Sequence, residues 1–132
     1  MSSVTVKLDY TVATSKSFDQ AVEAVNNAVA NAGFRVLHTH DVQGTFREKG
    51  VEIAPYKIVE VCNVKYAKQA LAKDLLIGLM MPCKINVYTQ KDQTKISLML
   101  PTVMSVLAPG LGMEPLAEEV EGILRGVVDA AK

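Results

Sequence analysis

The chain of 132 residues has no tryptophan, only seven other aromatics, two cysteines and no excess of either charge. Each shortage excludes something. Fourteen basic residues balance fourteen acidic ones, and no Lys/Arg cluster is longer than two residues. The basic footprint that phosphate backbones require is therefore missing, and nucleic acid is not an expected partner. Two cysteines cannot build the disulfide framework of a small secreted protein, so a reduced, cytoplasmic setting is expected. The longest mostly apolar run, residues 75–82, is far shorter than the roughly 20 residues a bilayer demands, and no membrane role is expected. The N-terminal residues do not read as a secretory signal. Nor is there a phosphate-binding glycine loop: "APGLG" lacks both the lysine and the spacing. No Gly-x-Ser-x-Gly elbow occurs. The carboxylates Asp9, Glu48, Glu52 and Glu60 are scattered, and no cofactor is implied. Catalytic residues, if any, are unknown from the sequence.

What is present describes one globular domain over residues 1–132, with 49% hydrophobic and 21% charged residues. Residues 4–12 alternate with period two, as a half-buried strand does. Ser17, with Gln20 three residues on, opens a helix in capping-box fashion, and Gly33 closes it. Phe18, Ala21, Val22, Val25, Ala28, Val29 and Ala32 form its apolar stripe. A strand over 34–39, a short helix capped by Asp41 and stopped near Gly50, and a strand over 56–62 follow. Residues 64–73 return to helical spacing, with Gly78 interrupting what comes next. Strands over 83–89 and 95–100, joined by "QKDQ", predict an antiparallel hairpin. Pro115 starts a last helix whose inner side is Leu116, Val120, Ile123, Leu124, Val127 and Val128. Glu118, Glu119 and Glu121 stand near its positive end. The order β-α-β-(α)-β-α-β-β-α predicts a two-layer α+β domain, helices packed on a mixed sheet of about five strands.

"VEVCNVKYAKQAL" and "IGLMMPCKINVYTQKD" together resemble the domain of unknown function 302 family of bacteria and archaea. In that family a strand ends in Cys-Asn, a helix follows, and Gly-Leu-x-x-Pro-Cys leads into the next strand. The likeness continues through "AVANAGFRVLHTHDV" and "EPLAEEVEGILRGVVDAA", so it spans nearly the whole chain. The resemblance implies a compact α+β fold seen in dimers. It also implies an association with sulfur-metabolising organisms, but no assigned activity. Where the family often has proline after Cys-Asn, this chain has Val64, which predicts a less sharply defined helix start.

Candidate chemistry lies in the sulfur. Cys83 alternates in step with Ile85 and Val87, placing it on the apolar face as a small packed hydrophobe. Cys62 alternates with Ile58 and Glu60 and is followed by Asn63, so it is the better candidate for a reactive or ligand-binding thiol. If their strands ran parallel and adjacent, the two cysteines would sit at opposite sheet edges, about 23 Å apart, and would meet only across a dimer. His38 and His40 share a side of their strand and form a weak alternative metal pair, short of the three or four ligands such a site needs. Met80, Met81, Met99, Met104 and Met113 cluster in the second half, suited to a core, a dimer seam or a pocket. Two methionines converging on a cysteine would suit copper(I). The sequence therefore predicts a homodimeric, non-catalytic module for a small apolar or soft ligand or a protein partner. The alternative is a thiol-dependent sulfur carrier or redox protein acting through Cys62.

Overall fold

A computed structural model describes residues 6–132; the part of the first predicted strand at residues 4 and 5 lies outside it. Five strands, β1 (Asp9–Thr14), β2 (Arg35–Asp41), β3 (Tyr56–Cys62), β4 (Cys83–Gln90) and β5 (Gln93–Met99), form one sheet in the order β1-β5-β4-β3-β2. Five helices, α1 (Phe18–Asn31), α2 (Val42–Glu48), α3 (Val64–Lys73), α4 (Val103–Leu107) and α5 (Glu114–Ala131), alternate with them, and a 3₁₀ segment, Leu75–Met80, follows α3. The α+β architecture and the five strands are as expected. The sheet is not mixed, however: every pair of neighbours is antiparallel.

The reason lies in the connections. A helix that runs the length of the sheet between neighbouring strands produces a parallel pair; the seven-residue α2 between antiparallel β2 and β3 is too short for that. Between β3 and β4 the chain instead goes out and returns. Helix α3 advances about 15 Å at 1.5 Å per residue. At Asp74, extended at φ −165° and ψ 130°, the helix breaks, and the Asp74 carboxylate accepts a hydrogen bond from the Leu76 N–H at 2.8 Å. The six 3₁₀ residues then cover about 12 Å. They fold back on α3, since a Cβ at Gly78 would lie 3.5 Å from Leu71 Cδ2. Out and back nearly cancel, so β4 starts at the end of the sheet where β3 stopped. The other long crossover, through α1, joins β1 and β2, which occupy opposite edges.

Local signals in the sequence act where they stand. Ser17 caps α1 with the full reciprocal capping box to Gln20, and Gly33 takes φ +80° just past its end. Asp41 caps α2 by accepting from the Gly44 N–H. The β4–β5 hairpin is tighter than expected. Gln90 pairs with Gln93, and the turn residues Lys91 and Asp92 both have positive φ, 51° and 63°, the geometry that matches strand twist across a two-residue loop.

One face of the sheet carries Val59, Val61, Ile85, Val87, Ile96 and Leu98, all buried. Each such side chain contributes roughly 1.5–3 kcal/mol relative to exposure. Helix α1 covers them with Ala21, Val25 and Val29, and α5 with Leu116, Leu124 and Val128. The opposite face is open, with Tyr56 and Tyr88 stacked at 5.2 Å across β3 and β4.

The start of α3 is sharp despite the absence of proline. Asn63, at φ −125° and ψ 119°, accepts a hydrogen bond from the Lys65 N–H at 2.9 Å through Oδ1. Val64 then occupies the first helical position, exposed to solvent. An Asn63 backbone of this shape is what a following proline requires, and the first helical N–H needs no partner in the helix. Val64→Pro should therefore raise stability by about 0.4–1 kcal/mol. Urea unfolding would read this as a higher midpoint at unchanged slope.

Candidate functional site

Because β3 and β4 are antiparallel, Val61 lies opposite Cys83, and Cys62 is one residue beyond Val61. The sequence expectation of opposite sheet edges is thus overturned: both cysteines stand at the same end of the sheet within one chain. Both are free thiols and both are half-buried. Their assignment to different faces holds along the strands, since Cys83 shares its face with buried Ile85 and Val87 while Cys62 opposes Arg35.

At that end the helical layer leaves a small apolar cavity of about 50 Å³. Its floor is Val61, Cys62 and Cys83; α3 contributes Tyr66, Ala67 and Ala70, and α5 contributes Leu116, Ala117 and Val120. Met81 and Pro82 close one side and Pro101, Met104 and Met113 another. The Met81–Pro82 peptide is cis.

The walls are tied by polar contacts at their rims. Asn63 Nδ2 donates to the Gly33 carbonyl at 3.1 Å, fastening the end of β3 to the turn after α1. Tyr66 stacks on Phe34 with centroids 6.0 Å apart, and its hydroxyl donates to Glu119 Oε1 at 3.2 Å, joining α3 to α5. The Thr102 hydroxyl donates to Glu121 Oε1 at 2.6 Å, and the Thr102 N–H to the same atom at 3.2 Å. Two glutamates expected only to favour the positive end of α5 therefore also hold the segments that frame the cavity.

Burial sets the thiol chemistry. The Cys83 pKa is pushed up to about 11, chiefly because apolar surroundings disfavour the thiolate; the charge of Cys62 adds to the rise and Lys84 opposes it. Burial also raises the Cys62 pKa. That Cys83 feels the charge of Cys62 places the two within electrostatic reach. Lys84 beside Cys83 and the start of α3 beside Cys62 do not offset this desolvation, and both thiols stay above their ordinary value.

The remaining predicted residues divide. Met81, Met104 and Met113 border the cavity, the last two buried. Met80 lies half-buried outside it, lining two shallower grooves with Leu79. Met99 is 40% exposed on the last strand, away from the cavity. His38 and His40 lie exposed on the edge strand β2, their rings edge-on at 4.3 Å, with His40 Nε2 3.4 Å from Glu60 Oε2. Among the described residues no three His, Cys, Asp or Glu side chains gather as a metal site. From sequence Phe34 falls in the strand expected over 34–39 and Tyr66 in the helix over 64–73, and Ile77 and Ala117 are not singled out. Their role in framing a cavity carries no signal beyond ordinary apolar spacing.

An antiparallel sheet with helices on one face and a sulfur-lined cavity at one end defines an α+β protein with an internal pocket. The sequence profile described as domain of unknown function DUF302 matches residues 10–131, and the chain belongs to that family. Its structure is similar to a crystal structure of an uncharacterized conserved DUF302 protein from Bacillus stearothermophilus. The TM-score is 0.91 at 30% identity, over 96% of this chain and 100% of that one. No curated protein matches the chain. No helix among the described residues is long and apolar enough to cross a membrane.

The thiols should respond to alkylation in a defined order. Iodoacetamide at rising pH should label Cys62 first, with an inflection above the ordinary thiol value, and Cys83 only as pH approaches 11. Mass spectrometry of the labelled chain, with Cys62→Ser and Cys83→Ser as references, would resolve the two. An inflection below pH 8.5 for either would contradict the desolvated environment described above.

Proposed function

We propose that the protein is a non-catalytic binding module whose ligand, small and apolar or soft, enters the cavity at the end of β3 and β4. One observation carries this reading. Cys62, Cys83, Met81, Met104 and Met113, separated by up to 51 positions, border a single small apolar space. A small apolar pocket of this kind favours a compact apolar guest over water. At about 50 Å³ it is too small, as it stands, for a porphyrin or a long acyl chain. The polar ties at its rim keep its walls in place without putting charge inside it. The free thiols suit a reducing, cytoplasmic setting.

Xenon tests the pocket directly, because it requires only a dry space of suitable size. Xenon should shift the amide resonances of Val61, Tyr66 and Met104 saturably, and Ala67→Leu, which fills the space from α3, should abolish the response. Unchanged spectra under xenon, and under a panel of small alkyl and thioether guests, would discard the binding reading.

The alternative, a sulfur carrier or redox protein acting through Cys62, has the partial exposure of that residue in its favour. Its raised pKa counts against it, because the thiolate is the nucleophile.

Self-association belongs to the same proposal; Met104 and Met113 are core residues, so of the methionines Met80 is the one beside the proposed seam. Leu75 and Leu79 are 80% and 82% exposed on the 3₁₀ segment, and Leu76 and Leu79 line one groove with exposed Leu107 at the end of α4. Apolar surface of this kind marks a contact site, and a second copy would cover it. Sedimentation should give a dimer for the native chain and a monomer for Leu79→Glu; a native monomer at micromolar concentration would remove this part of the reading.

A further inference from the structure

We propose that the cavity is a site for a soft monovalent d¹⁰ metal ion, copper(I), bound by the sulfur of Cys83 with the thioethers of Met81, Met104 and Met113. This deepens the binding reading above and rests on it. The ligand set is the first reason. Four sulfur side chains arriving from the β4 entry, the α4 turn and the start of α5 border one space, and no imidazole or carboxylate borders it. Thioether and thiolate select copper(I), whereas zinc and the harder divalent ions favour nitrogen, oxygen or several thiolates. Cys83 and Met104 also line the adjoining groove together with Met80 and Lys84, so they form the wall between the cavity and the surface.

Charge is the second reason. An uncompensated ion in an apolar space is strongly disfavoured. One thiolate and three neutral thioethers around a monovalent cation sum to zero, so the loaded site leaves no charge in the cavity. A divalent ion with the same ligands would leave one positive charge. Two thiolates would leave one negative charge, so one thiolate is called for, and Cys83, in step with buried Ile85 and Val87 on the covered face of β4, takes that role. Cys62, half-exposed at the rim, serves as the point of entry for the metal.

Loading is then a balanced exchange without change of oxidation state. The S–H bond of Cys83 breaks, a sulfur–copper bond forms from the same electron pair, and one proton leaves to solvent. Because a proton leaves as the metal binds, loading releases one proton for each copper taken up.

Titration of the full-length reduced chain with copper(I), anaerobically and in competition with a chromogenic chelator, tests the proposal. One copper per chain should bind, with one proton released. Cys83→Ser should weaken binding at least a hundredfold. Met104→Leu, which keeps volume and apolar character, should weaken it about tenfold, and Cys62→Ser should slow loading more than it lowers affinity. Circular dichroism and the xenon response would establish that each variant keeps its fold and its cavity. Absence of stoichiometric copper binding, or binding indifferent to both Cys83→Ser and Met104→Leu, overturns the metal assignment. If xenon still binds in that case, the pocket reading survives; if xenon fails as well, both fall.

Discussion

The antiparallel pairing of β3 with β4, which sets Val61 opposite Cys83, is the constraint on which the rest of the site depends. It brings the end of one strand and the beginning of the next to the same edge of the sheet, and with them both cysteines, Asn63 and the Met81–Pro82 approach. Were the same two segments parallel neighbours, a full strand length would separate these groups. The out-and-back excursion of α3 and the 3₁₀ segment makes that pairing possible. Asp74 turns it, and the contact of Gly78 with Leu71 closes it.

The same burial that builds the cavity determines its chemistry. Removing water from around a thiol penalises its thiolate, which makes Cys83 a poor nucleophile at neutral pH. It does not make it a poor ligand for a soft cation, because the metal supplies the positive charge that the surroundings lack. Desolvation therefore separates two functions that cysteine often combines, and the proposal of binding in place of turnover rests on that separation. Membership of the DUF302 family is consistent with either, since the crystallised relative is itself described only as uncharacterized.

Much of the fold was legible in the chain. Ser17 with Gln20, Asp41 and Gly33 announce their caps through chemistry that acts within four residues, so no tertiary knowledge is needed to read them. The Tyr56–Cys62 strand and the Val64–Lys73 helix are visible with their boundaries for the same reason. The hairpin turn was read too long, because nothing in Lys91 and Asp92 announces the positive φ that both adopt. The candidate site was legible only in its ingredients. Cys62, Cys83 and the methionines could be picked out as residue types, but nothing in the sequence told that Met80 and Met99 line the adjoining groove and not the cavity, while Met104 borders both. The glutamates of α5 illustrate the same boundary: a helix-end role was evident, whereas their bonds to Tyr66 and Thr102 were not.

By itself, then, the sequence determined the identity and order of the strands and of every helix but α4, which side of most of them faces inward, and that the only distinctive chemistry is sulfur. These follow from periodicity and short-range hydrogen bonding, which are properties of neighbouring residues. Only the tertiary structure decided that the sheet is antiparallel throughout, that both thiols share one end of it, and that three of the five methionines join them. Those outcomes depend on the direction in which α3 and the 3₁₀ segment return the chain. That direction is set by packing between residues far apart in sequence, which no local pattern records.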